Sequence, residues 1–176
     1  MEEKKLKVKA SSLVTEFEEF KQEAGHKKVL DLACGNGRNG LWFAKRGHQV
    51  TFIDRSFAEL IEQPATQQFL QWDLEDTSAP ELPVAEYDLI LVFNYLHRPL
   101  FSQIRSAVKP GGLIIYETFI DKQAEIGRPK NPKFLLKQGE LKFEFDNWTC
   151  LHYFEGEVFN NTHMSKKAQL IARKPS

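Results

Sequence analysis

One stretch near the start of the chain limits its fold more than any other. Residues 29–40 read VLDLACGNGRNG, a short apolar strand followed by a turn with three glycines and the start of a helix. Glycine admits positive φ angles that other residues avoid, so these glycines predict a tight turn. A helix that begins directly after such a turn points its free N–H groups over the end of the strand. The stretch therefore predicts an α/β fold with a ligand site beside its first strand.

Strand and helix patterns continue to alternate up to residue 119. The run YDLILVF at 87–93 is apolar on both faces, as strands of a parallel sheet are. Strands are predicted at 29–32, 50–53, 68–70, 87–93 and 113–119, helices at 41–47, 56–62 and 99–108, and a turn at 109–112. Short connections between alternating elements favour a Rossmann-like α/β fold with a doubly wound, mostly parallel sheet.

The two ends of the chain depart from this alternation. Residues 1–10 are highly charged, and we expect a flexible segment there and a single domain over 11–176. A helix is predicted from Ser11 or Ser12 to Gly25, because its apolar residues share one face: Leu13, Phe17, Phe20 and Ala24. Extended segments at 145–154 and 164–173 have no helix between them. They predict an antiparallel C-terminal hairpin that completes a seven-stranded sheet.

Composition argues against several classes of function. Lys and Arg number 24 and Asp and Glu number 24, so no net charge attracts nucleic acid. No apolar run has membrane-spanning length, and the first ten residues lack the apolar core of a signal peptide. Cys34 and Cys150 lie far apart, without metal-ligand spacing. We expect a cytoplasmic protein, monomer or homodimer, with no metal site and no membrane contact.

Two ligand classes compete for the glycine turn. Gly35, Gly37 and Gly40 have the spacing of the dinucleotide fingerprint, and Asp54 follows Gly35 by 19 residues. Asp31 argues against a nicotinamide or flavin cofactor, because its carboxylate repels a pyrophosphate but attracts a ligand with a positive amino group. The chain also lacks room for the substrate domain that dehydrogenases usually add. An NAD(P)-dependent oxidoreductase stays an alternative.

The segment LDLACGNG at 30–37 resembles the glycine-rich motif of class I S-adenosylmethionine-dependent methyltransferases, hydrophobic-x-Asp/Glu-x-Gly/Ala-x-Gly-x-Gly. Later landmarks of that family also match, namely Tyr87-Asp88 before an apolar strand and KPGGL at 109–113 before the next. The motifs cover about residues 28–119, and the final strand pair matches the family's architecture. Within the family, residues 35–39 and 131–141 resemble the tellurite-resistance methyltransferase group.

The resemblance implies S-adenosylmethionine as cofactor, S-adenosylhomocysteine as product and a small-molecule methyl acceptor. It assigns the ammonium group to Asp31, the ribose hydroxyls to Asp54 and the adenine amine to Asp73. The cofactor residues that it implies are Asp31, Ala33, Gly35, Gly37, Asp54, Arg55, Asp73, Leu74 and Asn94. Structural roles stay open for the three carboxylates: Asp31 as the cap of the next turn, and Asp54 and Asp73 as solvated loop charges.

Candidates for the chemistry follow the fourth and fifth strands, because open parallel sheets bind ligands at the carboxyl ends of their strands. His97, Tyr95 and Glu117 are candidate catalytic groups, and histidine is a common general base in enzymes. Arg38, Tyr95, His97 and Arg98 are candidate substrate contacts. A helix-capping or surface histidine and surface arginines are the structural alternatives. Residues 121–138 form either a lid over the substrate or a long connection.

Methyl transfer needs a base only if the nucleophile must lose a proton. The absence of an obvious base therefore does not exclude an enzyme. A cofactor-binding partner subunit without catalysis is the second alternative to a methyltransferase. Residues 94–97 read NYLH. They differ from the Asp/Asn-Pro-Pro-Tyr/Phe motif of enzymes that methylate amino groups of nucleic acids, which disfavours a nucleic-acid substrate.

Overall fold

The computed structural model describes residues 8–22, 26–160 and 163–176, without the side chains of Lys21 and Gln22. Most of the predicted flexible segment, residues 1–7, lies outside this part of the chain, as do Ala24 and Gly25. Within the described ranges, no helix has both the length and the apolar character needed to cross a membrane.

Seven strands form one sheet in the order β3-β2-β1-β4-β5-β7-β6. They are β1 (Lys28–Leu32), β2 (Gln49–Asp54), β3 (Gln68–Gln71), β4 (Tyr87–Phe93), β5 (Val108–Phe119), β6 (Thr149–Asn160) and β7 (His163–Arg173). The first five strands run parallel. β7 pairs antiparallel with both β5 and β6. The predicted Rossmann-like sheet with a C-terminal antiparallel hairpin is confirmed.

The helices between these strands are short. The α-helices are α1 (Ser12–Thr15), α2 (Glu18–Gln22), α3 (Arg38–Ala44), α4 (Phe101–Ala107) and α5 (Glu140–Glu144). Three 3₁₀ turns lie at Arg98–Leu100, Asp121–Glu125 and Pro132–Phe134. Proline sits at the start of the first and third of these turns, where its fixed φ is accepted and its missing N–H is not needed.

Both faces of the sheet are buried, which explains the continuous apolar character of β4. Successive side chains of a strand point to opposite faces. Leu30, Ile90 and Ile114 therefore join a core with α4 and α5, whereas Val29, Leu89 and Ile115 join a second core with α1, α2 and α3. This arrangement brings the carboxyl ends of the parallel strands to one common edge.

The helix predicted at 56–62 is wrong, because side chains there bond to the local backbone instead. The Asp54 carboxylate accepts from the N–H of Ser56 at 3.2 Å, and the Ser56 hydroxyl accepts from the N–H of Ala58 at 3.3 Å. Such side-chain bonds offer the backbone an alternative to a helix. The connection then lies against the glycine turn, where Ile61 donates its N–H to the carbonyl of Asn36 at 3.1 Å.

The single N-terminal helix predicted up to Gly25 is replaced by α1 and α2. Val14 and Phe20 are both buried against α3 and the sheet. Residues six positions apart point about 120° away from each other on a continuous helix. The interruption between the two helices allows both side chains to reach the same core.

Two more boundaries were wrong near the end of the sheet. The predicted turn at 109–112 is an irregularity inside β5, where four residues between Val108 and Leu113 face one residue of β4, and Gly111 takes a φ of 74°. The strand predicted from Phe145 begins only at Thr149. Phe145 and Trp148 turn into the core instead and pack with ring centroids 5.2 Å apart.

Candidate cofactor site

The glycine turn lies where the connections of β1 and β4 lead away in opposite directions, the place where open α/β sheets form a crevice. Alternate residues of the turn have left-handed backbone: Ala33 at φ 53°, Gly35 at 54° and Gly37 at 74°. For alanine this conformation costs about 1 kcal/mol. Strained non-glycine backbone of this kind is typical of functional sites.

Asp31 points from β1 under the start of α3. Its side chain is buried, and Oδ2 accepts from the N–H of Gly40 at 2.8 Å. Burial raises the pKa of this carboxyl from 3.8 to about 7, against the opposing effect of the Gly40 hydrogen bond. Asp31 therefore caps the first turn of α3, which is the structural alternative named for it in the sequence analysis.

Gly40 explains why the turn has dinucleotide-like spacing. A Cβ atom at this position would lie 2.5 Å from Cε1 of Phe52 and 2.7 Å from Oδ2 of Asp31. Only glycine allows α3 to pack this closely on β1 and β2. The third glycine thus serves helix packing, a requirement that does not depend on the identity of the ligand.

Asp54 ends β2 and ties that strand to the glycine turn. Its Oδ2 accepts from the N–H of Gly35 at 2.8 Å, and Oδ1 accepts from Ser56. A carboxylate offers about four acceptor positions, so these two bonds leave acceptor capacity on Asp54 for a ligand. Asp73 is exposed and accepts from the N–H of Glu75 at 3.1 Å, in a turn that follows β3.

Two cavities meet at Ala33 along this edge of the sheet. The first has a volume of about 450 Å³, and its lining includes Asp31, Cys34, Gly35, Asn36, Arg38, Phe93 and Asn94. The second has a volume of about 290 Å³ and is lined by Asp54, Arg55, Trp72, Asp73, Leu74, Glu75, Tyr95 and Phe134. Eight of the nine predicted cofactor residues line one or both cavities. The ninth, Gly37, begins α3 directly behind them.

The Tyr95 hydroxyl provides an independent sign of a ligand. It is buried and has no hydrogen-bond partner among the described residues. The side chain lines the second cavity, and burial raises the pKa of its phenol above the usual 10. A buried hydroxyl without a partner costs about 1–3 kcal/mol. A polar ligand group beside Tyr95 would recover this energy.

The end of β4 contains a network that sequence reasoning missed. Asn94 has left-handed backbone, and its Oδ1 accepts from Nζ of Lys167 at 2.6 Å. The same lysine donates to Oε1 of Glu117 at 2.9 Å, while Gln169 donates to Oε2 at 2.7 Å. Both Glu117 oxygens are thus engaged. Lys167 gave no sequence signal because it belongs to the strand pattern MSKKAQLIAR.

The remaining candidate residues are His97, Arg98 and Arg38. His97 is half-buried and precedes a 3₁₀ turn, and it is absent from the described lining of both cavities. Arg98 forms a two-bond pair with Glu140, at 2.5 and 2.9 Å, and also donates to two backbone carbonyls. Its donors thus serve the fold. Arg38 lines the first cavity and donates to the carbonyl of Lys9 at 3.2 Å.

Residues 121–138 leave and rejoin the sheet at one point. The N–H of Leu136 donates to Phe119 and the N–H of Asp121 donates to the carbonyl of Leu136, both at 2.9 Å. Phe134, within this segment, lines the second cavity and is 41% exposed. The segment therefore borders the site, and its action as a lid stays a prediction.

Comparisons with known proteins agree with this geometry. Residues 29–112 match the family described as a methyltransferase domain. The chain is 30% identical to the "Probable S-adenosyl-L-methionine-dependent methyltransferase TehB" of Haemophilus influenzae, over 84% of this chain and 57% of that protein. It is 29% identical to "Hemagglutinin 1" of Eikenella corrodens, over 73% of this chain and 46% of that protein.

The chain spans about half the length of the curated relatives it matches. The crystal structure of TehB from Haemophilus influenzae shares its fold, with a TM-score of 0.69 at 24% identity, over 85% of this chain and 58% of that one. The family match, the relatives and the strand order all point the same way. Residues 29–112 form a methyltransferase domain, and the chain has the motifs and strand order of the class I S-adenosylmethionine-dependent methyltransferases.

Proposed function

We propose that the chain binds S-adenosylmethionine across the two joined cavities and transfers its methyl group to a small molecule. The observation that carries the proposal is the meeting of the cavities at Ala33, with Asp31 on one side and Asp54 on the other. A ligand that is cationic at one end and a nucleoside at the other requires such a divided site. The match to methyltransferases supports the same ligand.

The residues present fit this cofactor. Asp31 lines the first cavity and offers a carboxylate to the ammonium group of the methionine part. Asp54 keeps acceptor capacity for ribose hydroxyls, and the Tyr95 hydroxyl is buried without a partner among the described residues. Asp73 and Leu74 line the end of the second cavity, where the adenine would lie.

Bound S-adenosylmethionine supplies a methyl group activated by a positively charged sulfur. The contribution of the protein is then to orient the two reactants and to exclude water. Glu117 is engaged by Lys167 and Gln169, and His97 stands outside both cavities, so neither side chain is placed as a base. The cavity walls therefore promote the reaction by aligning the acceptor with the methyl group. An acceptor that enters deprotonated needs no base.

The finer assignments are also proposals. The identity with TehB and the resemblance of residues 35–39 and 131–141 support the tellurite-resistance methyltransferase group. The balanced charge of the chain argues against a nucleic-acid substrate. A cytosolic location, a single domain over residues 11–176 and a monomeric or dimeric state stay predictions.

The test is methyl transfer from S-adenosylmethionine labelled in the methyl group to a panel of small thiols, phenols and oxyanions. We expect transfer to at least one class, with release of S-adenosylhomocysteine. The variant Asp54→Ala should require a higher cofactor concentration than the wild type for half-maximal transfer. Tight cofactor binding without turnover, together with co-purification of another chain, would favour the non-catalytic partner subunit instead.

A further inference from the structure

A third cavity adjoins the methionine side of the cofactor site. It has a volume of about 500 Å³ and shares Val8, Arg38 and Asn160 with the first cavity. Its walls come from residues 8–12, Arg38, the carboxyl end of β5, the end of β6 and the first half of β7. We call it the hairpin cavity. A second substrate in this place would approach the cofactor from its methionine end.

A buried lysine forms part of the wall of the hairpin cavity. Lys167 is 8% exposed, which is rare for a lysine unless it is paired. Its Nζ donates to Asn94 at 2.6 Å and to Glu117 at 2.9 Å, and lies 5.0 Å from the centre of the Phe119 ring. An ammonium group has three N–H donors, so these two bonds leave one more donor for a ligand.

The surrounding network holds this ammonium in place. Gln169 donates to the second oxygen of Glu117 and is itself 3.2 Å from Nε2 of His152. Asn94, which directly follows β4, and residues of β5, β6 and β7 are thus joined in one network that includes Lys167. A cation fixed in this way loses little conformational freedom when it binds an anion, which favours affinity.

The charges of the hairpin cavity are predominantly positive. Among the described residues of its lining, Lys9, Arg38 and Lys167 are cationic and Glu117 is the one acidic group. Glu117 is paired with Lys167, so the two charges of this pair cancel and the positive excess of the lining comes from Lys9 and Arg38. The guanidinium of Arg38 donates to a backbone carbonyl, which does not neutralise its charge. A negative ligand is therefore attracted to this cavity and a positive one is repelled.

We infer that the hairpin cavity holds the methyl acceptor, that this acceptor is a small organic anion, and that Lys167 and Arg38 bind its negative group. The inference rests on the proposed function. In the reaction, the acceptor atom uses its own electron pair to bond the methyl carbon. The carbon–sulfur bond breaks, its electron pair passes to sulfur, and any proton on the acceptor atom goes to solvent.

The test uses the chain saturated with S-adenosylhomocysteine and titrated with benzoate or with benzamide, its neutral isostere. We expect benzoate to bind at least about tenfold more tightly than benzamide, the factor that one charge-assisted hydrogen bond supplies. Lys167→Met should remove this preference in a chain that still binds S-adenosylhomocysteine. Lys166→Met is the matched control, because Lys166 pairs with Glu125 and is outside the described lining of the hairpin cavity.

A second variant protects the test against misfolding. Lys167→Met leaves the buried Glu117 without its cation, so Arg38→Gln, at a half-buried position, is measured in parallel and should also weaken benzoate binding. Equal affinity for benzoate and benzamide in a chain that binds S-adenosylhomocysteine would overturn the inference. So would a benzoate affinity that neither variant changes. Failure to bind S-adenosylhomocysteine would instead refute the proposed function.

Discussion

Cofactor binding should release a proton from Asp31 at mildly acidic pH. Burial raises the pKa of this carboxyl to about 7 in the chain without ligand. The proposed ligand brings an ammonium group into the cavity that Asp31 lines, and an opposite charge at close range lowers the pKa of a carboxyl by about 1–3. Binding therefore favours the ionised form, and the proton leaves.

The size of the effect follows from these values. At pH 6 a group with a pKa of about 7 is roughly nine-tenths protonated, whereas a pKa lowered to about 5 leaves roughly one-tenth, so binding releases about 0.8 proton. The affinity then rises roughly sixfold per pH unit near pH 6. At pH 8 the release falls to about 0.1 proton, because Asp31 is already ionised in the free chain.

The same shift affects folding without ligand. Because the pKa is higher in the folded chain than its ordinary 3.8, the neutral carboxyl is favoured by folding. Its contribution to the free energy of unfolding is therefore full below about pH 4 and is lost as the pH rises to about 7, by about 4 kcal/mol. Asp31→Asn should flatten this part of the stability profile.

Calorimetric titration with S-adenosylhomocysteine in buffers of different ionisation enthalpy measures the released proton directly. Asp31→Asn should abolish the release at pH 6. Asp76→Asn is the control, because Asp76 is exposed, bonds to Ser78 and has a pKa below 3.8. Less than about 0.2 proton released by the wild type, or an unchanged release in Asp31→Asn, would refute the assignment of the ammonium group to Asp31.

Three further predictions concern single side chains. Asp54→Ala should weaken S-adenosylmethionine binding by about 1–3 kcal/mol through unpaired ribose hydroxyls, and an unchanged affinity would remove that role. Gly40→Ala should lower the free energy of unfolding by about 1–3 kcal/mol, because its Cβ would overlap Phe52 and Asp31, and an unchanged denaturation midpoint would show that α3 moves to accommodate it. His97→Ala should leave cofactor affinity unchanged, because His97 is outside the described lining of both cofactor cavities. The rate of methyl transfer by this variant distinguishes a catalytic His97 from a capping or surface histidine, since only loss of a catalytic group would slow transfer to a verified acceptor.

The sequence predicted the centre of the sheet well, because local pattern and burial agree there. YDLILVF can satisfy its apolar character only between two covered faces, and the strand ends at the predicted residue, Phe93. The glycines likewise predicted a tight turn, and Gly35 and Gly37 take the positive φ angles that such a turn requires. The residues that follow β1, β2 and β4 were therefore expected at one edge, and the cavities contain them.

Long-range pairing was beyond reach of the same reasoning. Lys167 meets Asn94 across 73 positions of the chain and Glu117 across 50, and nothing in their local patterns signals the contact. Arg98 was a candidate substrate contact with a surface position as the alternative, and its ion pair with Glu140, 42 positions away, could not be inferred from local pattern. The helix expected at 56–62 failed for a local reason, since hydrogen bonds of Asp54 and Ser56 compete with helix formation.

Calorimetric titration of the wild-type chain with S-adenosylmethionine, with NADPH as the competing ligand, is the first test of which cofactor the glycine turn binds. We expect one site per chain with micromolar affinity for S-adenosylmethionine and S-adenosylhomocysteine, and no saturable binding of NADPH. A folded chain that binds neither sulfur compound would contradict the cofactor assignment. Binding of NADPH alone would instead support the alternative that the glycine turn binds a dinucleotide.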